Sequence, residues 1–198
     1  MNNHLNNFKQ YLITESPDVN NCWEELKTIC QVNSYSPKET ILTSEERCDF
    51  FYFLSSGTLR GFQYTDKGDE KTKFIFSRQL LFTNYESYEN NEISSTNIVT
   101  VDESFVIKIP KEKYVDFLSR HPSFSLLMIQ LLIRTISRIL KRRSKLDLLK
   151  PYDRYLFVRE HMPSVFNNVP QQFIASYLNM TPVSLSRMNK RYLESLKK

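Results

Sequence analysis

Apolar residues change their spacing three times along the chain. Between Phe8 and Val32 they recur at helical intervals, most clearly at Trp23, Leu26 and Ile29, and the pattern predicts a short amphipathic helix closed by Pro37. From Thr40 to Ile109 the period gives way to short runs rich in aromatic and β-branched residues, punctuated by Gly, Asp and Asn. That is the texture of many short strands. Phe50 to Leu54 stops at Ser56-Gly57, Thr58 to Tyr64 follows, and Asp66-Lys67-Gly68-Asp69 turns the chain back into Thr72 to Phe76. Thr96 to Val101 and Ser104 to Ile109 are expected to pair as a hairpin across Asp102-Glu103. Together these strands predict an antiparallel, rolled sheet.

After Pro110 the helical period returns. Lys111 to Arg120 reads as a short helix, His121-Pro122 as a break, and a long helix begins near Pro122 or Ser123. Its apolar positions include Phe124, Leu127, Leu131, Ile133, Ile136 and Leu140, with polar Ser137, Arg138, Lys141 and Arg142 toward the end. A helix this aliphatic needs a partner, either its own sheet or a second copy. Because a core-sized domain already precedes it, we read a self-associating seam in which Phe124, Leu127, Leu131 and Ile136 make the dimer contacts. Past Leu149-Lys150 the hinge residue Pro151 opens a second helical unit, with Tyr155, Leu156 and Val158 as its apolar face and Met162-Pro163 at its end.

Val169 to Arg191 carries the most specific pattern. Pro170 suits a helix start, Phe173, Ile174, Tyr177 and Leu178 form an apolar stripe, and small Ala175 leaves room for a second helix. Asn179 tolerates a left-handed turn and Met180 fills it. Thr181-Pro182 then supplies an N-cap and an N1 proline to a second helix, with Leu185 and Met188 facing inward. Ser184, Ser186, Arg187, Lys190 and Arg191 are left facing out. Two short helices joined by a tight turn, the second presenting hydroxyls and cations, form a helix-turn-helix of the kind that enters a major groove.

Charge adds to this picture. The formal net charge of +5 hides an asymmetry: residues 1–133 hold 13 Lys and Arg against 18 Asp and Glu, whereas residues 134–198 hold 14 against 4. Cations concentrated in one third of a chain are the footprint of polyanion binding. The 198 residues, 40% hydrophobic, 13% aromatic and 25% charged, suit an ordinary globular protein, and only 3 glycines argue against a glycine-rich nucleotide fold. No run approaches about 18 continuous apolar residues, so no membrane span is expected. Met1 to Gln10 is polar and unlike a signal peptide, which makes a cytoplasmic location the expectation. Cys22, Cys30 and Cys48 lack paired metal-ligand spacing and read as reduced thiols. His4, His121 and His161 all lie outside the expected sheet, so neither a metal centre nor a nucleophile–base pair is predicted, and the chain reads as no enzyme.

Val169-Pro170-Gln171-Gln172, Ile174-Ala175-Ser176-Tyr177-Leu178, Thr181-Pro182 and Leu185-Ser186-Arg187 together resemble the C-terminal motif of Crp/Fnr-type transcription regulators, in particular the branch common in Bacteroidetes. Ser56-Gly57-Thr58-Leu59-Arg60 and the strand rhythm resemble that family's β-roll. The resemblance implies an α+β fold: a cyclic-nucleotide-binding-like antiparallel β-roll over 1–121, a dimerisation helix over 122–149 and a helix-turn-helix domain over 150–198. It implies a homodimer on double-stranded DNA, with RNA polymerase as a partner if the protein activates transcription. Arg187 matches the family's recognition-helix arginine, whose fork can grip guanine O6 and N7. Thr181, Ser184 and Ser186 would add shorter contacts, and Gln171, Gln172, Lys190 and Arg191 would anchor the backbone. Where many members carry a glutamate early in that helix, this chain has Val183.

Members that bind cyclic nucleotides carry a phosphate-binding arginine, and the corresponding stretch here, Phe82 to Ser95, has none. A buried phosphate without a cation is costly, so regulation by cyclic AMP is not expected and the effector is unknown. Tyr85, Glu86 and Tyr88 are the candidate lining of a pocket for something else; aromatic core is their other reading. No cofactor or metal is predicted. The rival reading is a non-enzymatic module whose basic third docks on another protein or polyanion.

Overall fold

The computed structural model describes residues 2–77 and 79–196. Two four-stranded antiparallel sheets form the roll. One has the order β1 (Gln31–Tyr35), β8 (Ser104–Pro110), β3 (Phe50–Ser56), β6 (Leu80–Phe82); the other has β2 (Thr40–Leu42), β7 (Asn97–Thr100), β4 (Leu59–Tyr64), β5 (Glu70–Phe76). The hairpin expected across Asp102-Glu103 is therefore corrected. β7 pairs with β2 and β4, while β8 pairs with β1 and β3, so the chain changes sheets between them. Both strands lie where the sequence reads them, but the residue pattern of a strand does not name its partner. The 66–69 turn does close a hairpin, with Tyr64 opposite Glu70 and Leu59 opposite Phe76.

Gly57 stands at a sheet change with φ +98°, and an added Cβ there would lie 2.2 Å from Ser104 Oγ. Thr58 beside it gives its N–H and its hydroxyl to Asp102 at 2.6 and 2.9 Å, tying the two crossings together. The roll interior is filled by Leu42, Tyr52, Leu54, Leu59, Phe82, Ile98 and Val106.

The single N-terminal helix expected from the spacing is two: α1 (Asn2–Glu15) and α2 (Trp23–Ile29), separated by a 3-10 turn over Pro17–Asn21. Both lie on the outer face of the first sheet. Phe8 stacks on Phe53 at 4.6 Å, and His4 stacks on Phe105 at 3.9 Å. The chain then enters β1 before Pro37, because Val32 and its neighbours pair with β8 rather than extend a helix.

Helix α3 (Tyr85–Asn90) interrupts the roll, α4 (Lys111–Arg120) follows it, and α5 runs unbroken over Pro122–Leu148. Phe124, Leu127, Met128 and Leu131 of α5 sit in the core with Phe8, Leu12, Trp23, Phe51 and Phe117. By length and apolar content α5 could cross a bilayer, with a mean hydropathy of 1.4 over its best window. Here those four side chains are packed in the chain's own core instead, each worth about 1.5–3 kcal/mol of transfer free energy.

The C-terminal unit comprises α6 (Pro151–His161), α7 (Pro163–Asn168), α8 (Gln171–Tyr177) and α9 (Pro182–Ser195) around Tyr155, Val158, Val165, Ile174, Ala175, Leu178 and Leu185.

Candidate nucleic-acid interface and ligand cavity

The turn between α8 and α9 is built as its residues dictate. Asn179 adopts φ +56°, the Met180 N–H reaches the Ala175 carbonyl at 2.9 Å, and Thr181 Oγ1 accepts the Ser184 N–H at 3.1 Å. Pro182 takes the first helical position, where no N–H is needed. Ala175 is fully buried, which lets α9 approach, and Leu185 closes the contact. Thr181 is thus engaged as a cap, with its hydroxyl 2.9 Å from that of Ser184.

Gln171, Gln172, Thr181, Ser186, Arg187, Lys190 and Arg191 are exposed and Ser184 is half-buried. Among the described residues no carboxylate pairs with Arg187, Lys190 or Arg191. Arg191 lies over the Tyr152 ring at 4.0 Å, which draws its guanidinium toward α6. Val183, in the first turn of α9, is 61% exposed. The face therefore offers two uncompensated cations, a tethered third, hydroxyls and one apolar side chain.

Arg154 and Arg159, which the sequence does not single out, hold this face in place together with Tyr155, which it reads only as apolar. Arg154 donates to the carbonyls of Leu146, Leu149 and Leu178 at 2.8, 3.1 and 2.7 Å, joining the end of α5 to the end of α8. The Tyr155 hydroxyl donates to Asn189 Oδ1 at 2.9 Å, and Arg159 packs over the Tyr192 ring at 4.4 Å. The available signal was Arg154 and Arg159 flanking Tyr155 in a helix whose other face is apolar; cations so placed hold backbone or rings.

Helix α8 also docks on β5, an edge strand. The Thr72 N–H donates to Ser176 Oγ at 2.9 Å, Lys71 Nζ donates to the Ser176 carbonyl at 3.0 Å, and the buried Arg60 guanidinium lies over Phe173 at 3.8 Å. Arg60 further bonds Thr72 Oγ1 at 2.9 Å and pairs with Glu70. Burial and the neighbouring cations Arg143, Lys73 and Arg154 pull the Lys71 ammonium below its usual range.

The residues expected to form a seam divide between two faces of α5. Phe124, Leu127 and Leu131 are 4, 7 and 4% exposed, consumed by the chain's own core. The face α5 turns outward is Leu126, Ile129, Ile133 and Leu140, each more than half exposed, with half-buried Ile136 continuing its 3-and-4 spacing. Helical spacing alone groups Phe124, Leu127 and Leu131 with Ile136, and does not single out Leu126 or Ile129.

A cavity of about 310 Å³ lies between α5 and the roll, walled by Phe74, Phe76, Phe82 and Tyr85 and by Thr135, Ile136, Ile139 and Leu140 of the helix. Tyr85 and Glu86 line it as expected. Tyr88 does not; its ring packs edge-on against Phe51 at 6.4 Å and beneath Lys111. Burial raises the Tyr85 hydroxyl to about 12, so it stays protonated. The histidines stand apart, with His4 3.0 Å from Ser55 Oγ, His121 2.8 Å from Glu25 and His161 at the end of α6. All three cysteines are free thiols, and burial pushes that of Cys30 up to about 12.

Residues 32–121 match the family model of the cyclic nucleotide-binding domain. Among solved structures, the chain is similar to a cyclic nucleotide-binding domain containing protein from Listeria monocytogenes (TM-score 0.70, 14% identity, 97% of this chain and 91% of that one). It is similar to FixK2 from Bradyrhizobium japonicum (TM-score 0.71, 12% identity, 84% and 86%). It is also similar to the c-di-GMP-responsive global regulator CLP of Xanthomonas campestris (TM-score 0.68, 13% identity, 87% and 90%). No curated protein matches. Residues 32–121 are thus similar to a cyclic nucleotide-binding domain, and the chain shares its α+β fold with these solved structures.

Proposed function

We propose that this protein is a cytoplasmic, homodimeric, sequence-specific DNA-binding transcription regulator without enzymatic activity. The observation that carries the reading is α9 itself: a capped helix, locked by Arg154, Tyr155 and Arg159, that presents Arg187 and Lys190 with no acidic partner among the described residues. Residues 1–121, 122–149 and 150–198 act as sensor, dimerisation helix and reading head. Arg187 takes guanine O6 and N7, and Ser184 and Ser186 make shorter contacts to base edges or phosphates. Exposed Val183 offers an apolar contact to a thymine methyl where a glutamate would accept from cytosine. Lys190, Arg191, Gln171 and Gln172 anchor phosphates, and Thr181 serves as the cap.

Pairing of two chains through Leu126, Ile129, Ile133 and Leu140 of α5 places two such helices about a two-fold axis, to read half-sites about one helical turn apart. Four exposed aliphatic side chains on one stripe support that use. Cyclic AMP is not the effector, since no cation among the described residues lines the cavity between α5 and the roll. If transcription is raised, RNA polymerase is a further partner.

Selection of bound duplexes from a random pool tests the reading. A two-fold-symmetric winner supports it. Retention with no enriched sequence reduces the protein to a polyanion binder, and no retention at all favours a protein-docking module.

A further inference from the structure

The cavity beneath α5 differs in chemistry from a phosphate site. Among the described residues none of its lining is Lys, Arg or His, and the one charged lining group is the carboxylate of Glu86, which accepts from Ser95 Oγ at 3.1 Å. Its walls are aromatic on one side and aliphatic on the other, with Phe74 stacked on Phe76 at 4.6 Å opposite Ile136 and Ile139. Phe74 holds its place because Gly61 carries no Cβ, which would lie 2.0 Å from the ring. Among the polar groups of these walls, the Gln63 amide is held in place by two neighbours. Gln63 donates its amide N–H groups to Ser95 Oγ and Thr96 Oγ1, both at 3.0 Å, which leaves its carbonyl oxygen as an acceptor. Arg138 and Arg142 belong to a neighbouring cleft of about 30 Å³. The buried Arg60 engages Glu70, Thr72 and Phe173, keeps its second terminal nitrogen unpartnered among the described residues, and does not line this cavity.

We propose that this cavity holds an uncharged, flat, largely apolar ligand bearing one hydrogen-bond donor, of the aromatic-alcohol type, in place of a cyclic nucleotide. The inference rests on the regulator reading, in which this cavity is the sensor's input. An apolar body gains from leaving water among Phe74, Phe76, Phe82, Ile136 and Ile139, and its donor meets Gln63. A phosphate or carboxylate would be desolvated beside Glu86 with no cation to meet it. Ile136 and Leu140 stand both in the cavity wall and on the outward stripe of α5, so the partner helix of a dimer would close over the ligand.

The test is equilibrium dialysis of the full chain against 1-naphthol, 1-naphthoic acid and cyclic AMP in parallel. Naphthol should bind at least about tenfold more tightly than either anion, a difference of about 1.4 kcal/mol. Ile139→Trp, a half-exposed position whose indole would fill the space, should weaken naphthol at least about tenfold while leaving the thermal midpoint in place. Gln63→Leu should abolish the preference for naphthol over naphthalene. Equal or tighter binding of naphthoate or cyclic AMP overturns the ligand class; so does naphthol uptake that Ile139→Trp leaves unchanged, or no uptake at all. Retention of duplex DNA by the same preparation separates these failures from failure of the regulator reading, because the reading survives if DNA is retained and naphthol is not.

Discussion

Arg187 and Lys190 lie one turn apart on α9 with like charge and unlike geometry. A guanidinium fork reads two acceptors at once, whereas an ammonium acts as a point charge. Arg187→Ala should therefore cost about 1–3 kcal/mol on the selected site and relax base choice, while Lys190→Ala should weaken all sequences alike and lower the salt slope by about 1. Equal loss on selected and random duplexes for Arg187→Ala would remove it from base reading. Arg154 is of another kind, since its three bonds are to carbonyls within the chain. Arg154→Met should destabilise the fold by about 2–4 kcal/mol in urea denaturation, because charge-assisted bonds are lost and carbonyls left unpaired. The cap Thr181-Pro182 and the left-handed Asn179 were legible in the sequence because both are local chemistry. Arg154 was not, since its acceptors come from two other helices.

At the scale of elements, α5 divides into an inner and an outer stripe. Ile133→Glu should leave the fold intact and yield monomers in sedimentation, whereas Leu131→Glu should unfold the chain by burying a charge beside Phe8 and Trp23. A dimeric Ile133→Glu protein would place the seam elsewhere. Periodicity shows that α5 is apolar on more than one face; only the presence of α1 and α2 on the first sheet decides which is covered. The same limit explains the hairpin expected across Asp102-Glu103. Composition and turn residues mark β3, β4, β5, β7 and β8, but the sheet change at Val101–Glu103 depends on Asp102 gripping Thr58, a contact 44 residues away in sequence. Gly57→Ala should accordingly destabilise by more than about 2 kcal/mol, from positive φ and the clash with Ser104 together, measurable as a fall in thermal midpoint.

Across the whole molecule, β5 links the cavity to the reading head. Phe74 and Phe76 of this strand wall the cavity, and Lys71 and Thr72 hold Ser176 of α8. Ser176→Ala should speed hydrogen exchange at the Thr72 amide by about tenfold or more, since an edge-strand N–H then faces water. Unchanged exchange would show that the docking does not depend on this hydroxyl. The charge division between the first 133 residues, net −5, and the remainder, net +10, sets the long-range field that would bring the C-terminal unit onto a polyanion. Sequence made that division plain; the docking of α8 on β5 joins segments about a hundred residues apart and left no local trace.

Sequence-specific binding by α9 is tested most directly by measuring affinity for the selected duplex and for a shuffled duplex of equal composition across a salt series. The expected result is a preference of about 10³ or more for the selected duplex at physiological salt, with affinity for both falling steeply as salt rises. Equal affinity for the two duplexes at every salt concentration would contradict it.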